Sequence, residues 1–456
     1  MSQAQTSWRA EKWRAVFVFA AIYLQSFVLY GCSVVSISFY VSYLIDRGIP
    51  NIQVGLIGMF PCVGYVFNLC YDLLDHLLVK KNVSLKVCQC MFFTVAILNC
   101  VGQGAVDLIP SSYNDLLVLV LTLQRAVSGY VGFLASKGTV ECCRVWFPDH
   151  MNLIIGLECG AYYFGGALVI LMGGYVYEAF SFKEPFLVFG FVAVLFLLFN
   201  LATLPKTSDP VLVKAKEESA EENIPEAEHE SKGLKESLAA DTNQGLSWKV
   251  IFPLLAQAMT LILEGFSTSI TTPYLLDEFQ VPLGKGSSYV FVFYIASFLG
   301  CSVSGVMLQR RCGPSKIVAA GSISAALGVL LIFPGQVSQC LYNLVPQTAY
   351  LGMFLQGYGC QLVAVASLPA VEEVHVVLGG RQCTRAHKSA VSTLWLCSWM
   401  LSVYAGHMVA LMVIKYMTCT LGGWIMAVSC TGAAVVSIAQ DVAIHRSKTA
   451  PPRPEV

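Results

Sequence analysis

Three charged side chains lie inside long apolar stretches of the sequence, namely Arg125, Glu158 and Glu264. A charge at the centre of a membrane-spanning helix costs roughly 2.5 to 3.5 kcal/mol, so such residues usually serve a solute, an ion or a proton. Arg125 and Glu158 lie on consecutive apolar segments and could meet between antiparallel helices. Such a pair could have a function, or the two charges could only neutralise each other.

Glu264 belongs to a polar stripe in an otherwise apolar segment. Its members recur at steps of three and four and are Gln257, Thr260, Glu264, Ser267, Thr268 and Thr271. That spacing places them on one face of a helix. A polar face would be penalised in lipid, so the stripe predicts a water-filled cavity or a hydrogen-bonded seam between helices. Because no basic residue is near Glu264 in the sequence, we expect it to bind a cation in a cavity.

Aromatic residues on other apolar segments could complete this site, since a carboxylate beside aromatic faces suits an organic cation. The candidate solute-binding residues are Glu264, Gln257, Thr260, Ser267, Thr268, Tyr30 and Tyr162. His407 on the eleventh predicted span could carry protons. A lone histidine in a helix is more often a hydrogen-bonded packing residue, and this alternative stays open for His407.

The composition indicates which elements position these residues. Of 456 residues, 56% are hydrophobic and 12% are charged, which is about half the charged fraction of a soluble domain. A spanning helix needs roughly 20 apolar residues. The apolar windows are 15–44, 54–74, 87–108, 115–137, 152–175, 185–204, 250–273, 287–308, 316–334, 343–370, 389–412 and 419–440. The sequence predicts an all-α membrane protein with twelve transmembrane helices in two pseudo-symmetric six-helix bundles.

The basic residues predict the orientation of these helices. Outside the long central loop, the loops on the N-terminal side carry 17 lysines and arginines, and those on the other side carry 4. Because basic loops stay in the cytoplasm, both termini are expected there. Residues 205–248 hold ten acids and read as a disordered cytoplasmic linker. The expected parts are the N-terminus 1–14, the bundles 15–204 and 249–441, that linker, and the tail 442–456.

Several classes of function are disfavoured by the sequence. The formal net charge is zero, which argues against a nucleic-acid partner. Most of the 17 cysteines lie in apolar stretches, where free cysteine packs as a small hydrophobe. The chain shows no Walker loop and no metal-binding motif, so we expect neither a cofactor nor a metal, and no enzyme activity.

Two loops resemble a motif of the major facilitator superfamily. That motif follows the second span and repeats after the eighth. Residues 71–80 keep its acid, Asp75, and the trailing Lys80 but neither glycine, and residues 305–313 are a closer copy with glutamine in place of the acid. The resemblance implies alternating access between two bundles. It also implies a cytoplasmic gate formed by Asp75, His76, Gly305, Gln309, Arg310 and Arg311.

The fifth predicted span is similar to the vesicular amine transporter family, most closely to its vesicular polyamine transporter branch. The matching residues are 156–158, 173–180 and 185–186. The resemblance implies uptake of amines in exchange for protons through carboxylates in the bundle, and Glu158 matches that pattern. Arg125 with Gly129 resembles the superfamily's fourth-span arginine motif, which is associated with proton coupling. The candidate proton-coupling residues are therefore Glu158, Arg125 and His407. Antiporters of this type usually carry a glycine–proline step where this chain has residues 169–172, so proton exchange is less secure than transport.

The sequence therefore predicts a secondary transporter, a monomer in the lipid bilayer, for a small organic cation such as a polyamine or monoamine. An intracellular vesicle membrane is the expected location, with the plasma membrane as the alternative. Two other functions stay open. The first is a facilitator or symporter of a neutral or anionic solute anchored by Arg125. The second is a receptor or scaffold without transport activity.

Overall fold

The structure is a computed structural model. It describes residues 13, 15–28, 43–44, 47–50, 53–54, 57, 60–61, 63–67, 85–203, 247–281, 283–334, 344–378 and 385–449. Within these ranges every regular element is a helix. Ten of the helices described there are long and apolar enough to cross a membrane. Each one overlaps one of the predicted third to twelfth spans.

The long helices are numbered here in chain order. In the N-terminal half they are α1 (Leu85–Ala105), α2 (Asn114–Trp146), α3 (Met151–Ala179) and α4 (Lys183–Thr203). In the C-terminal half they are α5 (Ile251–Phe279), α6 (Leu283–Gln309), α7 (Pro314–Ile332), α8 (Val345–Glu373), α9 (Arg385–Tyr416) and α10 (Cys419–Thr449). The first predicted span is represented by a shorter helix, Ala15–Val28. Most of the second lies outside the described residues.

The helices form because lipid offers no partner to the backbone, so each apolar segment must satisfy its own amides and carbonyls. Local signals mark several ends. Pro314 occupies the first turn of α7, where its missing N–H is not needed. Gln280, with φ of 53°, takes the left-handed conformation that ends α5. Several helices run past the predicted apolar windows, as α2 does by continuing to Trp146, because only about 20 residues need to lie in hydrocarbon.

The principal contact between the two halves is α3 against α6, and α2 also meets α9. The α3–α6 crossing is close because both helices have glycine there. A Cβ added at Gly156 would lie 2.8 Å from the Cα of Gly305 and 2.7 Å from the Cys301 carbonyl oxygen. Any side chain at Gly156 would therefore push the helices apart, and small residues at such points allow close packing within membranes.

We call the end of the bundle where α2, α6, α8 and α10 finish the basic end. There Lys448 on α10 pairs with Glu373 on α8 at 2.8 Å. The chain after α8 continues as a π-helical turn, Val374–Leu378. This turn holds the start of the C-terminal half, because Lys249 donates to the Leu378 carbonyl oxygen at 2.7 Å. The helical structure thus continues beyond residue 370, where the tenth apolar window ends.

Candidate functional site

Glu264 lies in a hydrogen-bonded cluster that joins the two halves. Its side chain on α5 is only 2% exposed. Tyr163 on α3 donates its hydroxyl to Glu264 Oε1 at 2.7 Å, and Gln361 on α8 donates Nε2 to Glu264 Oε2 at 2.8 Å. Gln361 Nε2 also donates to the Tyr163 hydroxyl oxygen at 2.7 Å. Both carboxylate oxygens therefore have donors, one from each half of the protein.

An aromatic wall extends from this cluster. The ring of Tyr163 lies nearly parallel to that of Trp399 on α9, with centroids 6.4 Å apart and planes at 13°. Trp399 meets Trp395 edge to face at 5.3 Å. The indole of Trp395 is held in place because its N–H donates to the Ala364 carbonyl oxygen at 2.8 Å. The wall joins α3 to α9 at the depth of Glu264.

Glu158 lines a cavity against this wall. The cavity is bordered by Ser136, Glu158, Tyr162, Trp395 and Trp399, together with the apolar side chains of Val140, Cys159, Leu396 and Met400. We call it the acidic cavity, because Glu158 supplies its ionisable group. A carboxylate beside two indoles and a phenol has the composition that attracts an organic cation. Glu264 does not line this cavity.

The hydrogen bonds of Glu158 come from two neighbours. Ser26, on the helix Ala15–Val28, donates to Glu158 Oε1. Cys159 donates its thiol to Glu158 Oε2 at 3.4 Å. Among the described residues, Arg125 is not a hydrogen-bond or salt-bridge partner of Glu158, so the pairing expected from the sequence is not formed in this arrangement. Since Glu158 is 8% exposed, burial opposes its charge unless a cation approaches.

Arg125 lines a neighbouring cavity, which we call the basic cavity. Its walls include Tyr65, Arg125, Ser128, Tyr162 and Tyr404, with Pro61, Gly129 and Gly132. The lining residues on α2 are three and four positions apart and therefore share one face of that helix. Tyr162 borders both cavities and lies one helical turn from Glu158. The described residues thus form two adjacent cavities of opposite charge that share a wall.

The remaining members of the polar stripe have their described hydrogen bonds within the C-terminal half. Gln257 donates to the Trp395 carbonyl oxygen at 3.4 Å, and Thr260 and Ser322 are hydrogen-bonded at 3.0 Å. Thr268 donates to the Glu264 carbonyl oxygen of its own helix at 2.8 Å. Ser267 is fully buried, and its hydroxyl has no partner among the described residues. Most of the stripe is therefore a seam between helices, and of its six members only Glu264 bonds across the halves in the described region.

His407 lies on α9 at its contact with α5. His407 Nδ1 and the Ser269 hydroxyl are hydrogen-bonded at 2.6 Å. The two helices are close here because a Cβ on Gly265 would meet the His407 backbone nitrogen at 2.9 Å. His407 lines neither cavity, and this environment matches the packing role that the sequence left open.

The basic end holds several residues of the expected gate. Gln309 Nε2 lies 3.1 Å from both the Asp149 carbonyl oxygen and His150 Nδ1, so it connects α6 with the turn before α3. Gly305 forms the crossing with Gly156. Arg310 and Arg311 are exposed. Asp75 and His76, like Tyr30, lie outside the described residues.

A second connection at the basic end was not anticipated from the sequence. Arg144, at the end of α2, pairs with Glu372 at 3.3 Å and donates to the Ser392 hydroxyl at 2.6 Å. It also donates to the Lys388 carbonyl oxygen at 3.0 Å. Arg144 therefore holds α8 and α9 of one half against α2 of the other. The two charges are 228 positions apart, and a single sequence contains no signal that pairs them.

Comparison with known proteins assigns the family. The family model described as the Major Facilitator Superfamily matches residues 89–379. The chain belongs to the major facilitator superfamily. No curated protein sequence matches it. A crystal structure of a D-xylose–proton symporter is similar, with a TM-score of 0.67 and 13% identity over 93% of this chain and 96% of that one. At this identity the similarity shows the fold alone.

Membership of the major facilitator superfamily confirms the predicted fold class, an all-α membrane protein of the twelve-helix type. It also points to a membrane transporter of a small solute. The two halves defined above correspond to the two bundles of this fold, between which such transporters bind their solute. The acidic cavity takes residues from α2, α3 and α9, and so lies between the halves.

Two residues of the site were missed as functional candidates. Tyr163 stands next to the named candidate Tyr162 but faces Glu264. Gln361 lies in the tenth predicted span and was not among the candidates. A buried carboxylate needs hydrogen-bond donors, which is the signal that a partner for Glu264 must exist. The sequence could not identify these donors, because Tyr163 and Gln361 lie 101 and 97 positions from Glu264.

Proposed function

We propose that this protein is a secondary active transporter that carries a small organic cation, an amine or polyamine, in exchange for protons. It works by alternating access between its two halves. The observation that carries the proposal is Glu158 in a buried cavity walled by Trp395, Trp399 and Tyr162. Only a cationic group gains from both the carboxylate and the aromatic faces.

Glu158 is the group that contacts the ammonium in this proposal. It lines the cavity, and its described donors are a hydroxyl and a thiol, neither of which neutralises its charge. An approaching ammonium would supply the missing positive charge in a medium where charge attraction is strong. The two indoles would hold the methylene or aromatic part of the solute.

Glu264 is the proton-linked group in this proposal. Its oxygens are occupied by Tyr163 and Gln361, so they are not offered to a solute. The bond from Tyr163 crosses between the halves, and a rocking motion that separates α3 from α5 must break it. Gain or loss of a proton at Glu264 changes how many hydrogen bonds its carboxyl group can accept. Protonation is thereby coupled to the rocking motion of the halves. This division of roles is the reverse of the one expected from the sequence, where Glu264 was to bind the cation.

The proposal includes a cytoplasmic location for the basic end and for both termini, supported by the distribution of lysine and arginine. The contacts of Arg144 and Gln309 then form the closed cytoplasmic gate. A vesicle membrane with an acidic lumen would supply the proton gradient.

The test is uptake of labelled spermidine and serotonin into proteoliposomes with an imposed inside-acid gradient. We expect uptake that needs the gradient in the wild-type protein and that fails in Glu158→Gln. Glu278→Gln is a matched control, because Glu278 is an exposed acid at the end of α5.

Other outcomes would contradict the proposal. Competition by organic carboxylates without any effect of amines would favour an anionic solute anchored by Arg125. If folded protein neither transports nor gains thermal stability with any member of a broad solute panel, the receptor or scaffold function would be favoured, since a specific ligand must stabilise the folded state.

A further inference from the structure

The hydrogen bonds around Glu264 form a closed set. Tyr163 donates its hydroxyl to Glu264 Oε1, while Nε2 of Gln361 donates to Glu264 Oε2 and to the Tyr163 hydroxyl oxygen. The other end of the Gln361 amide, Oε1, accepts the thiol of Cys301 on α6, with the sulfur 3.8 Å away. Each donated hydrogen thus has its own acceptor, and all of these side chains are buried.

This set fixes the orientation of the Gln361 amide. Nε2 is the end that faces Glu264, because an ionised carboxylate only accepts hydrogen bonds. Oε1 then faces Cys301, whose thiol has one hydrogen to donate. The amide is therefore oriented for a Glu264 that carries no proton.

A proton added to Glu264 does not fit this arrangement. On Oε2 it would face an N–H group of Gln361, which is a donor. On Oε1 it would face the Tyr163 hydroxyl, whose own hydrogen would then need a new acceptor. In both cases Gln361 Oε1 becomes that acceptor once the amide turns by half a revolution. The two ends of an amide have nearly the same shape, so the turn requires no repacking.

We propose that the amide of Gln361 reverses when Glu264 takes up a proton. Gln361 is then a positioning residue, which passes the change at Glu264 on to the contact between the halves. The proton comes from water and forms one O–H bond on the carboxyl group, with no other covalent change. This inference rests on one part of the proposed function, the role of Glu264 as the proton-linked group.

The reversal changes the number of hydrogen bonds between the halves. In the structure the cluster links Tyr163 on α3 to the C-terminal half twice, once through Glu264 on α5 and once through Gln361 on α8. After reversal Nε2 faces α6, so the bond that it donated to Tyr163 is lost. The single hydroxyl hydrogen of Tyr163 serves one acceptor, and only one link remains in the cluster. Protonation of Glu264 thereby favours separation of α3 from α8.

Cys301 keeps the cost of the reversal low. A thiol is a weak donor, so the bond to Gln361 Oε1 that must be given up is a weak one. A hydroxyl in this place would hold Oε1 more strongly and would oppose the reversal. The choice between serine and alanine at position 301 therefore tests the proposal in opposite directions.

The experiment compares Cys301→Ser with Cys301→Ala in proteoliposomes that contain the full-length protein. Gradient-driven uptake of labelled spermidine is divided by counterflow of preloaded spermidine, which needs no net proton movement. We expect this ratio to fall roughly fivefold in Cys301→Ser, because one net hydrogen bond changes an equilibrium by about that factor. In Cys301→Ala the ratio should not fall.

Cys360 supplies the matched control. It precedes Gln361 in the chain and is also buried, but its thiol donates to the Thr260 carbonyl oxygen at 3.7 Å. Cys360→Ser and Cys360→Ala should leave the ratio unchanged.

A packing role for Cys301 would give a different result. A misfit at this position would lower the thermal stability and both kinds of transport together, so their ratio would not change. We expect Cys301→Ser to keep the stability of the wild-type protein, because the new hydroxyl has Gln361 Oε1 as its acceptor.

Infrared difference spectroscopy gives a readout that needs no transported solute. Between alkaline and acidic buffer, the wild-type protein should gain a protonated carboxyl band that is missing in Glu264→Gln. Isotope-labelled glutamine should show an amide band shift in the same spectrum, missing in Gln361→Met and kept in Gln356→Met. Gln356 is the matched residue, because it is also a fully buried glutamine of α8, and its amide has no partner among the described residues.

The outcomes separate the two proposals. A carboxyl band of Glu264 without the glutamine shift, or an unchanged ratio in Cys301→Ser, would overturn the reversal and leave the cation transporter standing. Absence of the Glu264 band would overturn both the reversal and the proton-linked role of Glu264. If spermidine and serotonin are not transported while the two bands change together, the reversal stands and the proposed solute is wrong. The wild-type spectrum decides the question if Cys301→Ser does not fold.

Discussion

Glu158 and Glu264 are both carboxylates buried in apolar helices, yet their surroundings differ. Glu158 is bordered on one side by a cavity and receives hydrogen bonds from Ser26 and its neighbour Cys159. Glu264 is packed among side chains and receives hydrogen bonds from Tyr163 and Gln361, which come from opposite halves. In the proposed mechanism, Glu158 therefore contacts the solute, and Glu264 responds to movement of the halves.

The difference teaches that burial alone does not assign a role to an acid in a membrane. Both residues cost energy in the apolar phase. The two carboxylates differ in whether the groups that stabilise their charge can be replaced by a solute. A cavity allows a solute cation to replace weak partners, whereas a closed cluster allows only a proton to change the charge.

The largest effect is expected from Glu158→Gln. Removing one partner of a buried ionic contact costs about 2 to 5 kcal/mol, so KM for labelled spermidine should rise at least roughly 30-fold. Gradient-driven uptake and solute counterflow should both fail, because the cation is no longer bound. Loss of driven uptake alone, with normal counterflow, would mean that Glu158 serves the proton and not the solute.

Glu264→Gln should separate gradient-driven uptake from counterflow of preloaded solute. The amide keeps the shape of the side chain, and its N–H group can donate to the Tyr163 hydroxyl, so the cluster is retained without a titratable proton. Gradient-driven uptake should fall to background while counterflow of preloaded solute continues. Equal loss of both modes would instead place Glu264 in the cation site, as the sequence alone suggested.

Tyr163→Phe changes the hydrogen-bonded cluster around Glu264 without changing a residue that lines the acidic cavity. It removes the donor to Glu264 Oε1 and the acceptor of Gln361, and leaving a buried polar group unsatisfied costs about 1 to 3 kcal/mol. The free energy of unfolding should fall by that amount, with KM for the amine little changed. Tyr175→Phe is the control, because Tyr175 is 68% exposed. A large rise in KM with unchanged stability would contradict the comparison.

Trp399→Phe should give the smallest effect of these substitutions. It tests the acidic cavity, which Trp399 lines together with Glu158. The phenyl ring keeps an aromatic face but attracts a cation less than an indole does, and such contacts are worth about 0.5 to 1 kcal/mol. KM for amines should rise roughly two- to fivefold, a change that the exposed Trp424→Phe should not produce. If KM for amines does not change, the indole is part of the packing and not of the cation site.

The helical architecture could be predicted from the sequence, because in lipid an apolar segment of sufficient length has one conformation available to it. The ten long helices of the described region fall where the apolar windows place them. The burial of Glu158 and Glu264 also followed, since both stand inside such windows. These predictions rest on local composition, which does not depend on how the helices are arranged.

The partners of the candidate residues could not be predicted, because they depend on the rotation and depth of each helix. The polar stripe of α5 shows this: spacing placed six residues on one face, but Thr260 meets Ser322 within one half while Glu264 meets Tyr163 in the other. Arg125 and Glu158 were close enough in sequence to be paired, yet the hydrogen bonds of Glu158 go elsewhere. A small rotation of either helix decides such a contact.

The glycine crossing divides α3 into two arms of unequal length. Gly156 stands five residues from the start of α3, roughly 8 Å, whereas Ala179 at the other end is roughly 35 Å away. If the halves rotate about this point, a displacement of about 10 Å at the far end accompanies only about 2 Å at the near end. Distance probes placed near Ala179 would report that rotation about four times more sensitively than probes placed near Met151.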